Sequence, residues 1–232
     1  MYQSWRDLLF LHWKMDPAKI QSKMPPGLSV DCFEGEAYVG VVPFFMCGVR
    51  PRFLPCFPGV SNFLELNVRT YVHDADGVPG VWFFSLDANC APAVWIARTF
   101  FNLPYRHAKM HAERSVAGVD YSSRCPAGNY EGRFCYQRNG GSELAQPGSL
   151  EFFLLERYYL YSYSESRKQL YRGQVSHRPY EFSEALVDEF DTEVMSMQGL
   201  APSGMDDDEA PLYDHACMAE DVDVKILGLE RV

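Results

Sequence analysis

Leu64-Glu65-Leu66-Asn67-Val68-Arg69-Thr70-Tyr71-Val72 is the stretch on which the reading of the fold turns. Apolar Leu64, Leu66, Val68 and Val72 occupy alternate positions, and Glu65, Asn67, Arg69 and Tyr71 fall between them. A period of two sorts these sets onto opposite faces of a β-strand. After the turn residues Asp74 to Gly77, the run Val81 to Leu86 is apolar on both faces, as in a strand covered from two sides. A half-polar strand beside a doubly covered one calls for closed or stacked sheets. The pattern leaves open whether the polar face looks into a cavity or out to water.

Toward the N-terminus, Tyr2 to Met15 is aromatic-rich and fits strand or helix. Asp16-Pro17 has the form of an N-cap followed by a first helical residue, ahead of Pro25-Pro26-Gly27. Leu28 to Phe33 and Ala37 to Phe45 flank Glu34-Gly35-Glu36, which predicts a hairpin, and Arg50 to Pro58 is a proline-rich loop. Toward the C-terminus, Val94, Ala97, Arg98 and Phe101 recur at helical spacing within Asn89 to Phe101, with Asn102 and Pro104 as a stop. The main helix is expected there. Arg106 to Val116, Tyr130 to Gln137 and Arg157 to Ser164 then have strand character. Gln169 to His177 is expected to pair back on the last of these through Glu165 to Lys168, and Val222 to Leu229 to close a sheet edge. Asp206 to Glu209 reads as a solvated acidic loop. The expected class is mainly β (α+β), an antiparallel barrel or sandwich with one or two short helices, in a single domain over residues 1–232.

With 47% hydrophobic and 15% aromatic residues the chain can bury a large core, which argues against disorder. A net charge of -10 without clustered Lys and Arg argues against nucleic acid as a partner and against anionic membranes. The run Leu8 to Leu11 is too short for a signal peptide or a span. Seven cysteines without a CxxC pair, mostly among apolar neighbours, read as free thiols of a reducing compartment. A cytoplasmic location is expected, and the oligomeric state stays open, a homo-oligomer included.

Glu65, Asn67, Arg69 and Tyr71 form the stripe most suited to a ligand wall. Next-but-one side chains on a strand lie about 6.6 Å apart, close enough to share one small ligand, whereas Glu65 and Arg69 are about 13 Å apart and do not pair directly. Arg69 suits a carboxylate. His107, Lys109, His111 and Glu113 share a face of the next strand, where about 13 Å separates the two histidines, too far to chelate one metal. A solvated face is the expectation. The arm Tyr158, Tyr159, Tyr161 and Tyr163 reads as strand packing, and His12 and His177 as hydrogen-bonded structural histidines. Gly59-Val60-Ser61-Asn62-Phe63 lacks the second glycine of a nucleophile elbow, and neither a P-loop nor a dinucleotide fingerprint is present.

The strings Trp5-Arg6-Asp7-Leu8-Leu9-Phe10 with His12-Trp13, Phe63 to Val72, Gly80 to Asp87 and Leu103-Pro104-Tyr105 resemble the YqjF-like family of uncharacterised conserved bacterial proteins. The resemblance is densest over residues 1 to about 110. It implies the acetoacetate decarboxylase-like fold, a barrel-like β core with flanking sheets around a partly closed pocket. In acetoacetate decarboxylases a proline is followed by two lysines, of which the first forms a Schiff base with a keto acid and the second lowers its pKa. Here Pro104 is followed by Tyr105 and Arg106, and Lys109 comes three residues later. The resemblance therefore implies the pocket without its amine, and it likens Glu65 to the acidic residue of the decarboxylases' pocket strand.

The expected site has Glu65 as base and Tyr105 as hydrogen-bond donor or general acid, with Asn67, Arg69, Tyr71 and Arg106 binding a small organic acid or carbonyl compound. No metal or cofactor is expected. A non-catalytic binding or sensing domain built on the same pocket is the alternative, and a purely structural or partner-binding protein a third reading.

Overall fold

The computed structural model describes residues 1–126, 130–202 and 213–232. Along the chain run β1 (Tyr2–Arg6), β2 (Leu8–Met15), α1 (Pro17–Gln21), β3 (Ser29–Val30), β4 (Ala37–Arg50), β5 (Phe63–His73) and β6 (Pro79–Ala88). Then come α2 (Ala91–Phe101), β7 (Tyr105–His107), β8 (Lys109–Ser115), β9 (Gly118–Cys125), β10 (Tyr130–Leu144) and α3 (Leu150–Leu155). The remainder comprises β11 (Tyr159–Ser164), β12 (Gln169–Ser176), β13 (Glu181–Glu189), α4 (Glu193–Ser196), β14 (His215–Ala219) and β15 (Val222–Arg231). The acidic stretch Asp206 to Glu209 lies outside the described residues.

The strands join one 15-stranded, mainly antiparallel sheet, with β7 and β11 pairing in parallel to β6. Its pairings run in a circuit: β5 to β6, β11, β12, β15, β1 and β4, and from β4 back to β5. β4 is long enough to serve two partners on one edge, β2 along Ala37 to Val41 and β1 along Phe45 to Arg50, while its other edge is filled by β5. From β2 the sheet continues through β14, β13, β10 and β9 to β8. The break between β1 and β2 falls at Asp7, whose φ is 49°.

This topology explains the alternation in β5. Leu64, Leu66 and Val68 pack into one core with Leu9, Leu11, Val41, Tyr121 and Phe134. On the other face, Phe63 and Tyr71 belong to a second core with Phe10, Phe44, Val81, Leu160 and Val175. Each face of the strand has its own apolar partner, so the period of two is visible in the sequence even though both faces are buried.

Local signals position the helices. The Asp16 carboxylate accepts the Ala18 N–H at 2.8 Å and Pro17 opens α1, as an N-cap requires. Helix α2 ends at Asn102, which takes the left-handed conformation at φ 49°. The expected hairpin around Glu34-Gly35-Glu36 shrinks to a single bridge between Phe33 and Glu36. Both edges of β4 are occupied elsewhere, so β3 pairs with β5 instead. The expected hairpin from β11 to β12 forms, in register from Tyr159 opposite Gln174 to Ser164 opposite Gln169. All seven cysteines are free. No helix among the described residues is long and apolar enough to cross a membrane.

Candidate functional site

A cavity of about 340 Å³ lies within the circuit. Every strand of the circuit contributes to its wall: Trp5 from β1, Met46 from β4, Glu65 from β5, Phe83 from β6, Leu160 from β11, Val175 from β12 and Ile226 from β15. Helix α2 and the loop after β4 border one end of it, through Ile96, Phe101, Phe57 and Val60. The wall is predominantly apolar; its polar groups include Glu65 and Arg69 of β5 and Tyr105 of β7, with Gln3, Arg50, Ser61, Arg157 and Tyr180 on other parts of it.

Glu65 stands on that wall and is 3% exposed. The Tyr105 hydroxyl donates to its Oε2 at 2.6 Å. Strand β7 brings Tyr105 there by pairing in parallel with β6, which sets Leu86 beside Tyr105 and Asp87 beside Arg106. Burial raises the Glu65 carboxyl to about 7, against the lowering effect of the bonds from Tyr105 and Asn67. Burial, and then the neighbouring Glu65, push the Tyr105 phenol well above its usual range. A carboxylate near neutrality beside a hydroxyl that keeps its proton is a competent base and donor pair. Among the described residues no lysine lines the cavity, and Lys109 is exposed on β8.

Arg69 is the second polar feature of this wall. Its Nη2 donates to the Tyr71 hydroxyl and to the Leu154 carbonyl, each at 3.2 Å, and its buried Nε has no partner. The guanidinium lies 4.9 Å from the centre of the Phe10 ring. No ion pair among the described residues includes Arg69. Arg157, which also lines the cavity, is by contrast engaged by Asp31 at 2.6 Å.

The remaining expected residues are placed differently. Asn67 is buried beside Glu65 with its Oδ1 unpartnered, and it does not reach the cavity surface. Tyr71 shares the face of Glu65 and Arg69 but is fully covered, packing on Phe153 and meeting His12 Nε2 at 2.6 Å. Arg106 is not at the cavity. It makes a two-pronged ion pair with buried Asp87, at 2.6 and 3.0 Å. Neighbours on a strand point to opposite faces, so with Tyr105 turned inward Arg106 is turned away. His107, Lys109, His111 and Glu113 form the solvated face expected of them.

Two residues read as merely structural or not considered from the sequence extend the network. His12 is fully buried, and its Nδ1 lies 3.0 Å from Nδ1 of His215 on β14. Arg69, Tyr71, His12 and His215 thus form one hydrogen-bonded row leading away from the cavity. The signal for His12 was its parity with Leu8 and Phe10, which places an imidazole on an apolar face.

The model of a family described as "Uncharacterized conserved protein", DUF2071, matches residues 2–223. The chain belongs to the DUF2071 family. One relative of this DUF2071 member, the uncharacterized protein YqjF of Bacillus subtilis (strain 168), is 40% identical over 182 residues, covering 78% of this chain and 74% of the relative. Among solved structures, an acetoacetate decarboxylase-like enzyme from Sphingomonas wittichii RW1 is similar with a TM-score of 0.65 at 15% identity, over 100% of this chain and 92% of that one. The enduracididine biosynthesis enzyme MppR, solved with the condensation product of pyruvate and imidazole 4-carboxaldehyde, gives 0.64 at 16%, over 99% and 88%. The acetoacetate decarboxylase of Legionella pneumophila subsp. pneumophila str. Philadelphia 1 gives 0.62 at 10%, over 99% and 86%. At these identities the likeness establishes the fold, and the DUF2071 chain has the acetoacetate decarboxylase-like fold.

Proposed function

We propose that the cavity binds a small oxo acid and that Glu65 and Tyr105 act on its carbonyl without a Schiff-base lysine. One observation carries this reading: a buried, hydrogen-bonded Glu65–Tyr105 pair and an Arg69 free of any ion pair among the described residues line one cavity. Arg69 receives the carboxylate. The Tyr105 hydroxyl turns from Glu65 to the carbonyl oxygen, and Glu65, released, takes a proton from the carbon beside the carbonyl. The enolate formed keeps its oxygen on the Tyr105 donor, and return of the proton from Glu65 reverses the step. The substrate class is supported by the proteins of the same fold, one an acetoacetate decarboxylase and another solved with a condensation product of pyruvate.

The test is exchange of the C4 and C6 protons of 5-oxohexanoate, whose carbonyl is set apart from its carboxylate as Glu65 is from Arg69, in D2O, followed by proton NMR. The expected result is exchange that is lost in Glu65→Gln and Tyr105→Phe, and no covalent adduct on borohydride treatment. Thermal stabilisation by the same acid with no exchange above background supports the sensing domain instead. An adduct on Lys109 overturns the rejection of amine chemistry.

A further inference from the structure

We infer that the ligand is amphiphilic: an oxo acid whose carbonyl lies between its carboxylate and an apolar tail of several carbons. This rests on the function proposed above and narrows its substrate class. The order of residues along β5 carries it. Arg69, Glu65 and Phe63 follow one another on a single face, and all three line the cavity. A ligand held by its carboxylate at Arg69, with its carbonyl at Glu65 and Tyr105, has its remaining part directed toward Phe63. That end is bounded by Phe57 and Val60 of the loop and by Ile96, Ala97 and Phe101 of α2. Arg50 also reaches it, but the guanidinium is directed onto the Gly48 carbonyl at 3.3 Å and over the Tyr2 ring. An acid that ends at the carbonyl would leave this apolar region in contact with water, whereas a tail would cover it.

The surface outside points the same way. Trp95, Ile96 and Phe100 of α2 and Phe53, Leu54 and Phe57 of the loop are exposed, so the apolar lining continues outward at this end. The chain has 31 acidic residues, yet none lies between Glu36 and Glu65 or between Asp87 and Glu113, the two segments that carry the loop and α2. An anion approaching here meets no like charge from these segments, on a protein whose net charge is -10.

Calorimetric titration with 5-oxohexanoate, 5-oxooctanoate and 5-oxodecanoate, which keep the carboxylate-to-carbonyl spacing and lengthen only the tail, tests the inference. Affinity is expected to rise about fourfold per added methylene until the cavity is filled. Ala97→Trp, which fills the apolar end, should abolish that gain for 5-oxodecanoate. Arg69→Met should weaken the whole series and preserve its dependence on length. A series flat with length, still weakened by Arg69→Met, overturns the amphiphilic ligand and leaves the proposed function standing. Absence of saturable binding by every acid, or indifference to Arg69→Met, strikes at the proposed function itself. Loss of the series in Arg50→Met reverses the orientation and overturns the inference.

Discussion

His12 Nε2 lies 2.6 Å from the Tyr71 hydroxyl, both groups fully buried. Arginine is a donor only, so the Tyr71 oxygen accepts from Arg69 and its own proton goes to His12 Nε2. His12 must then carry its proton on Nδ1 and donate to Nδ1 of His215, which keeps its proton on Nε2. Burial, with His215 and Arg69 nearby, lowers the His12 pKa well below 6.5, so the ring stays neutral. Long-range proton–nitrogen NMR at pH 7 should find the Nδ1–H form of His12 and the Nε2–H form of His215. The opposite tautomer at His12 would break the ordered row. The sign of the pH effect follows. The unfolded chain takes up this proton as pH falls through 6.5 and the folded chain does not, so the stability contributed by neutral His12 is present above 6.5 and is lost toward acid.

Gly40 in β4 belongs to the same arrangement. A Cβ there would sit 3.0 Å from His12 Cδ2 and 3.1 Å from Nε2, tighter than most such contacts, so the ring has to give by a few tenths of an ångström. Gly40→Ala should push the imidazole off its place and strain its bond to Tyr71, at a cost of up to about 1 kcal/mol, the net worth of one hydrogen bond. Urea unfolding measures the loss. The same spectra should show the His12 signals shifted, whereas an unchanged His12 environment would mean that the strand moves and the ring does not.

Much of this was open to the sequence. β5 was legible because each of its faces has an apolar partner, α1 because Asp16-Pro17 caps it, and α2 because Asn102 stops it. The pairing scheme was not. His215 is 203 residues from His12 and meets it only because β14 docks on β2. The mispaired β3 reflects the length of β4, whose edges were already filled by partners that no local signal identifies. Arg106 is instructive, since resemblance set it beside Tyr105 at the pocket, while strand parity alone turns neighbours to opposite faces.

The Asp87–Arg106 pair should behave as structure. Asp87 is fully buried, and burial raises its carboxyl against the pull of Arg106. Arg106→Met leaves that charge unpaired and should cost about 3–5 kcal/mol at neutral pH. Asp87→Asn combined with Arg106→Met should recover part of the loss. Denaturant titrations of the three variants decide it. Full stability in Arg106→Met with weakened acid binding would return Arg106 to the ligand site.

Glu65 makes the sharpest pH prediction. Its carboxyl is raised from 4.5 to about 7 on folding, chiefly by burial, so the folded chain holds a proton that the unfolded chain has released. Stability from this group is therefore complete below 4.5 and is lost as pH rises through 7, a decline of about 3 kcal/mol at single-site linkage. Glu65→Gln has no proton to lose, so its stability relative to the parent should climb by that amount between those limits. Tyr105→Phe removes a bond that lowers the Glu65 pKa, and should extend the decline to higher pH while its onset stays at 4.5. Chemical unfolding at intervals across the range measures all three curves. Parallel curves for the parent and Glu65→Gln would mean that Glu65 ionises like an ordinary surface carboxylate, and the base assigned to it near neutrality would be lost.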